Sequence, residues 1–490
     1  MNWPLIALVL TISLPLLGAL LAVASARFGD WIAGVIAVGT LAAAIGLLFF
    51  VNAQGAVTLA VGGWAPPLGI QLIADGTATL FLSTTALIMT IVALFSARSI
   101  LRRGRNSREM HLFWPLLLLL WGALNAIFVS RDLFNLYVGL ELVSLASVAL
   151  VAIEGSRRTL AAALRYLLFA LTGSLLYLLG AVLLYTAHGT LDLGLLAAQL
   201  GPDDGLALAA ITAGLIVKTA LFPFHVWLPP AHAGAPTPAS AVLSALVPKA
   251  SLYILLRVWF DAGPIETASV AMTFLGALGA VAVLHGSLMA LRQQRLKLII
   301  AYSTCAQIGY LFVIFPLAAA PAVIGTTGAD AAWQGTVFQA LSHALAKAAM
   351  FLCAGLIIEA VGHDRLDRLA GTARAMPMTM FAFGLAAISL MGLPPSGGFI
   401  AKYLLVNAAF DAGAPLWSLV VLIGGLLTAA YLVRPLAATW RSPKHDPNEL
   451  PPGFVDVARR RQLLPMILAL ASLALGLFSL LPVTLMGGRP

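Results

Sequence analysis

Apolar runs of about twenty residues follow one another along this chain, separated by short polar breaks. A run of that length, wound into a helix at about 1.5 Å per residue, matches the roughly 30 Å hydrocarbon layer of a bilayer. The pattern predicts an all-α polytopic membrane protein of about fourteen spans, numbered in chain order. They fall near 4–25, 31–51, 76–97, 112–129, 132–153, 160–186, 206–228, 237–260, 267–290, 297–316, 334–360, 376–404, 416–438 and 463–483. The first run has neither a basic leader nor a clear small-residue cleavage site, and it reads as a retained helix.

Two of these runs are interrupted. Helix 7 contains Lys218-Thr-Ala-Leu-Phe-Pro-Phe-His225, and helix 12 contains Gly392-Leu-Pro-Pro-Ser-Gly-Gly-Phe-Ile-Ala-Lys402. Proline removes a backbone donor and glycine loosens the helix. At membrane depth such breaks survive only where protein or a wet cavity satisfies the freed groups. The breaks fall at corresponding places if helices 4–8 (112–260) and 9–13 (261–438) form two five-helix repeats. An odd number of helices per repeat makes the two inverted, and paired breaks of this kind mark transport sites. Helices 1–3 (1–111) then precede the repeats, and 439–490 holds a polar connector and helix 14.

Charge refines the topology. One set of alternate loops carries Arg27; Arg98, Arg102, Arg103, Arg105 and Arg108; Arg157 and Arg158; Arg292, Arg295 and Lys297; Arg365, Arg368 and Arg374; and Arg441, Lys444, Arg459, Arg460 and Arg461. The intervening loops hold Asp75, Asp192, Asp203, Asp204, Asp261, Asp330 and Asp411. The positive-inside rule puts the basic set in the cytoplasm and both termini outside, as expected in a bacterial inner membrane. The net charge of +9 on 490 residues therefore reads as orientation, with no nucleic-acid partner. With 61% hydrophobic and 10% charged residues, no stretch has the composition of a soluble domain. The two cysteines, Cys305 and Cys353, give neither a disulfide framework nor a metal spacing. Phosphate-cradling loops, histidine metal motifs and nucleophile elbows are absent from the sequence, so no metal or cofactor is expected on this chain.

The remaining ionisable residues lie inside the spans: Glu141 in helix 5, Lys218 in helix 7, Lys249 in helix 8, His343 and Lys347 one turn apart in helix 11, and Lys402 in helix 12. A charge at the bilayer centre costs about 2.5–3.5 kcal/mol even on the lenient insertion scale. Such groups must face the interior, pair, or shed their charge. Burial disfavours the charged form and an opposite charge restores it, which is what a proton relay requires. The expected order is Glu141 paired with Lys218, then Lys249 and His343, ending at Lys402. Asp132, Arg165 and His225 are candidate supporting groups. Asp132 also fits a helix cap, Arg165 an end-of-helix cation, and His225 a cap on the break. His285, alone in helix 9, fits a structural hydrogen bond as well as a role.

These stretches resemble the proton-conducting antiporter-like subunits of respiratory complex I, membrane-bound hydrogenases and Mrp-type sodium/proton antiporters. The likeness runs from about helix 4 through helix 12. It rests on Asp132–Glu141, Lys218–His232, Ala235–Lys249, Leu296–Gly309, Leu341–Lys347 and Gly392–Lys402. The resemblance implies that Glu141, Lys218, Lys249, His343, Lys347 and Lys402 are the family's relay positions. It also implies other membrane subunits as partners, with protons and sodium as the transported ions. Asp132-Leu-Phe-Asn-Leu-Tyr-Val138 looks most like the Mrp D subunit, with redox-complex subunits as the second reading. Four positions depart from the family pattern: Arg131, Gly139-Leu140, Arg295 and Pro248.

Overall fold

The computed structural model describes residues 2–101, 108–265, 268–320, 327–442, 450–451 and 453–487. Arg102, Arg103, Arg105 and Lys444 lie outside the described residues, as do the side chains of Arg98 and Arg108.

Helices 1–6 are Trp3–Ala24, Gly29–Gln54, Gly76–Leu101, Arg108–Val129, Leu133–Ala152 and Arg157–His188. Helix 7 is split into 7a (Gly205–Thr219) and 7b (Leu228–Gly234), joined by a 3-10 turn, Phe224–Trp227. Helix 8 is also split, into 8a (Thr237–Ala245) and 8b (Val247–Arg257). Helices 9, 10 and 11 are Ser269–Arg292, Leu296–Leu311 and Thr327–Val361. Helix 12 comprises 12a (Pro377–Met391) and 12b (Gly397–Asp411), and helices 13 and 14 are Leu416–Trp440 and Arg459–Leu477. Among the described residues thirteen helices are long and apolar enough to cross a bilayer. Helix 12 is not among them because each half has only 15 residues; as one broken span it completes the expected fourteen. This is a multi-pass integral membrane protein.

Local chemistry sets the helix ends. Asp132 caps helix 5 by accepting the Asn135 amide at 2.7 Å, and Ser156 and Ser396 cap helices 6 and 12b in the same way. Between helices 2 and 3 lies a feature the apolar pattern does not reveal: strands β1 (Val57–Ala60) and β2 (Gln71–Ala74) pair antiparallel.

Helix 8 sits at the centre; every residue of 8b is buried. Helix 6 lies on the outside, with an exposed stripe through Leu164, Leu168, Leu171, Leu175 and Leu179. Helices 6 and 7a pack closely. A Cβ on Gly173 would stand 2.8 Å from the Gly214 carbonyl oxygen and 3.0 Å from Cγ of Lys218. Small residues thus bring the helix bearing Lys218 against its neighbour.

Three expectations about loop charges change. Lys297, grouped with the cytoplasmic cations, is buried, and its Nζ donates to the Ala235 carbonyl at 2.8 Å. Asp75 and Asp261, grouped with the outer loop acids, bind the buried Arg257 at 2.5 and 3.3 Å. Arg131 adds a contact to Asp261 at 3.7 Å. Arg461, read as a connector cation, is buried and pairs with Glu359 of helix 11.

Candidate functional site

Glu141 and Lys218 meet, with Nζ of Lys218 3.2 Å from Oε1 of Glu141 and 2.8 Å from the Ser144 hydroxyl. Ser174 of helix 6 donates to the same carboxylate oxygen. Glu141 stays partly open, its side chain 21% exposed against 5% for Lys218. On the other side of Lys218 a cavity of about 10 Å³ is lined by Ser144, Tyr166, Trp227 and Ser251. That is room for about one water molecule. Thr219, the next residue after Lys218, donates to Ser251 at 2.9 Å, which links helix 7a to helix 8b.

Lys249 is held by a backbone defect. An α-helix would satisfy the Ser244 carbonyl with the amide of residue 248, but Pro248 has none. Helix 8 is interrupted at Leu246, which has non-helical angles (φ −120°, ψ −42°). The freed Ser244 carbonyl instead accepts Nζ of Lys249 at 2.6 Å. Pro248 therefore fits: it stands in the first turn of 8b, where no intrahelical donor is required. A second cavity of about 10 Å³ adjoins Lys249, lined also by Thr84, Thr85 and Leu341. The buried Thr85 hydroxyl has no hydrogen-bond partner among the described residues.

His343 lies within electrostatic range of both Lys249 and Lys347, and neither of its ring nitrogens has a hydrogen-bond partner among the described residues. Lys347 reaches across to helix 10, donating to the Ile300 carbonyl at 2.9 Å and to the Ser303 hydroxyl. Tyr431 of helix 13 approaches Ser303 and donates to Thr428 at 3.1 Å. Gln307 donates to Thr428 at 3.2 Å, and Gln339 donates to Gln307 at 2.8 Å. The sequence does not reveal this polar bridge between Lys347 and Lys402, because glutamine, threonine and tyrosine inside a span carry no charge to attract notice.

Lys402 repeats the device seen at Lys249. Its Nζ donates to the carbonyls of Leu390 and Met391 at 3.0 and 2.8 Å. The residues four positions on are Pro394 and Pro395, so neither carbonyl has an intrahelical donor. Gly392 makes the turn, at φ +81°. A Cβ there would collide with Cδ of Lys402. Tyr310 presents its ring 5.0 Å from the amine.

The helix 7 break uses the same turn. Ala220 stands at φ +60°, and the Leu221 amide bonds back to the Ile216 carbonyl, as Leu393 does to Ile388. The lysines, however, sit on opposite sides of the two breaks: Lys218 precedes its break and Lys402 follows its own.

The supporting candidates divide. Asp132 is the cap of helix 5, where burial pushes its carboxyl above the ordinary aspartate value despite the cap bonds that lower it. Arg165 is exposed on helix 6. His225 is buried within the 3-10 turn that joins the halves of helix 7, with its ring centroid 4.8 Å from that of His285. His285, solitary in the sequence, thus has an aromatic partner. Sequence reasoning missed His232 of helix 7b, buried against Phe351 at 5.2 Å and within range of Lys249, Lys297 and Lys347. Both of its ring nitrogens lack partners among the described residues. Its place at the end of the family-like stretch Lys218–His232 was the available signal. At the loop between helices 9 and 10, Arg295 donates to Asp364 at 2.9 Å, and the Leu296 amide donates to the Asp364 carbonyl at 2.8 Å. Arg295 thus has a carboxylate partner of its own at this departure.

Residues 130–428 match the family described as NADH:quinone oxidoreductase/Mrp antiporter, TM. The chain belongs to this family. It is 38% identical over 474 residues to the N subunit of the NADH-quinone oxidoreductase of Desulforudis audaxviator, covering 90% of each chain. It is 30% identical over 422 residues to the D-type subunit of the Na(+)/H(+) antiporter of Bacillus subtilis, covering 84% of this chain and 82% of the relative. Its fold matches a chain of the Mrp complex from Dietzia sp. DQ12-45-1b with a TM-score of 0.87, at 25% identity, over 98% of this chain and 96% of that one. The membrane antiporter-like subunit expected from the motifs is thereby shown, and relatives from antiporters and from quinone reductases both resemble it.

Proposed function

We propose that this chain translocates protons as one membrane subunit of a hetero-oligomeric complex. The path runs from Glu141 through Lys218, Lys249, His343 and Lys347 to Lys402. The observation that carries this reading is the alternation of buried amines with hydroxyls, freed carbonyls and water-sized cavities. Glu141 stabilises the charged form of Lys218; when that carboxylate is protonated or moves, the amine releases its proton toward Ser144 and Ser251. Lys249, Lys347, His232 and His343 have no carboxylate bonded to them among the described residues, so they cannot all be charged together in a low-dielectric interior. A proton arriving at one favours its departure from the next. Helices 4–8 and 9–13 act as two inverted repeats, a reading supported by the shared turn at Ala220 and Gly392.

The finer reading is Mrp-type exchange of sodium for protons in a bacterial inner membrane with both termini outside. It is supported by the Asp132–Val138 stretch and by the likeness to the Mrp chain. A second reading, a proton-pumping subunit of a redox complex, is supported by the 38% identity to a quinone oxidoreductase subunit. Purifying the intact complex from its native membrane decides between them. Antiport predicts co-purification with small membrane subunits and sodium-dependent proton flux. Co-purifying iron–sulfur or nickel subunits would overturn antiport in favour of the redox complex.

A further inference from the structure

A groove of about 730 Å³ lies on the outer surface between helices 12a, 13 and 14, far from the buried amines except at one end. Its volume falls within the roughly 300–1,000 Å³ of small-molecule sites. The lining is almost wholly apolar and rich in methionine, with Met378, Met380, Met391 and Met466. Methionine is a flexible side chain that moulds itself to an irregular apolar occupant. The groove follows helix 12a from Pro377 to Met391, about 21 Å at the helical rise, close to the depth of one bilayer leaflet. Gly384 lies midway, and a Cβ added there would meet nothing within 4 Å.

Charge marks one end. The groove opens beside Pro377 and Trp440. Arg374, three residues before Pro377, and Arg441, directly after Trp440, are both exposed, and the Gly371 amide bonds the Arg441 carbonyl at 2.9 Å to hold the two segments together at this end. Arg374 also donates to Ser442 at 3.5 Å. The opposite end reaches Met391, whose carbonyl holds Lys402.

An apolar channel one leaflet long, with two arginines at its headgroup end, is complementary in charge and shape to an anionic phospholipid. We propose that this groove binds an anionic phospholipid, its acyl chain along helix 12a and its headgroup phosphate on Arg374 and Arg441. The bound chain packs against Met391 and steadies the break that carries Lys402. The site stands whether or not the transport reading holds, because binding is measured apart from flux.

The test is photolabelling of the intact complex in bilayers, using phosphatidylglycerol or phosphatidylcholine carrying a diazirine on the acyl chain. Phosphatidylglycerol should label helices 12a and 14 preferentially. R374Q together with R441Q should reduce that preference roughly 30-fold, at the strength expected of two arginines near a lipid surface. Gly384→Leu fills the open space and should abolish labelling by either lipid while leaving the complex assembled. Equal labelling by both lipids in the wild type would overturn the proposal. So would exclusion of both lipids with the groove crosslinked instead to a partner subunit.

Discussion

Lys218, Lys249, Lys347 and Lys402 each end on oxygen atoms supplied for them: Glu141 and Ser144, the Ser244 carbonyl, Ile300 and Ser303, and the carbonyls of Leu390 and Met391. None of these amines is bare, yet among the described residues only Lys218 of the four has a carboxylate within hydrogen-bond reach. Such an arrangement tolerates the neutral amine and still offers the ammonium an acceptor. Gly392 is the residue on which the Lys402 site depends most tightly. Gly392→Ala should add about 1–2 kcal/mol of left-handed strain and drive its methyl into the Lys402 side chain. The expected outcome is a lowered thermal midpoint together with lost proton flux, measured on purified complex. The positions of the ionisable residues were legible in the sequence because charge inside an apolar run is conspicuous. Their acceptors were less so: a carbonyl has no letter of its own, and His232 and the Gln307–Gln339 pair looked ordinary.

At the scale of elements, the prolines explain what the lysines hold. Pro248, Pro394 and Pro395 each withhold the amide that would have satisfied a carbonyl four residues earlier, and a lysine takes it. The breaks in helices 7 and 12 could be read directly from Pro and Gly. The break in helix 8 could not, because Pro248 alone looked like an intrusion in an otherwise apolar run. Its meaning appears only once Lys249 is seen folding back onto Ser244. Pro248→Ala returns an amide donor to the Ser244 carbonyl. It should leave stability equal or improved, while proton flux falls because Lys249 loses its hold. Hydrogen exchange at residues 246–250 and flux in the same preparation check both halves. Lost stability with unchanged flux would count against the proline device.

Across the whole molecule, the run of apolar segments and the alternation of loop charge were enough for the span count, since membrane insertion acts on segments of about twenty residues. What they missed are contacts between distant segments. Arg257, inside helix 8b, binds Asp75 at the start of helix 3 and Asp261 beyond its own end, tying the N-terminal helices to the centre. Removing Arg257 leaves the buried Asp261 with only the longer 3.7 Å contact to Arg131 among the described residues, so Arg257→Met should cost about 3 kcal/mol. It should appear as a lower thermal midpoint of the complex, partly recovered when Asp261 is also made apolar.

The proposed relay depends on a proton moving through Lys218. The direct measurement is proton flux in vesicles reconstituted with the intact complex, wild type against Lys218→Ala, with assembly verified for both. The relay predicts that the variant assembles and its flux falls to that of empty vesicles. Undiminished flux from the assembled variant would contradict it.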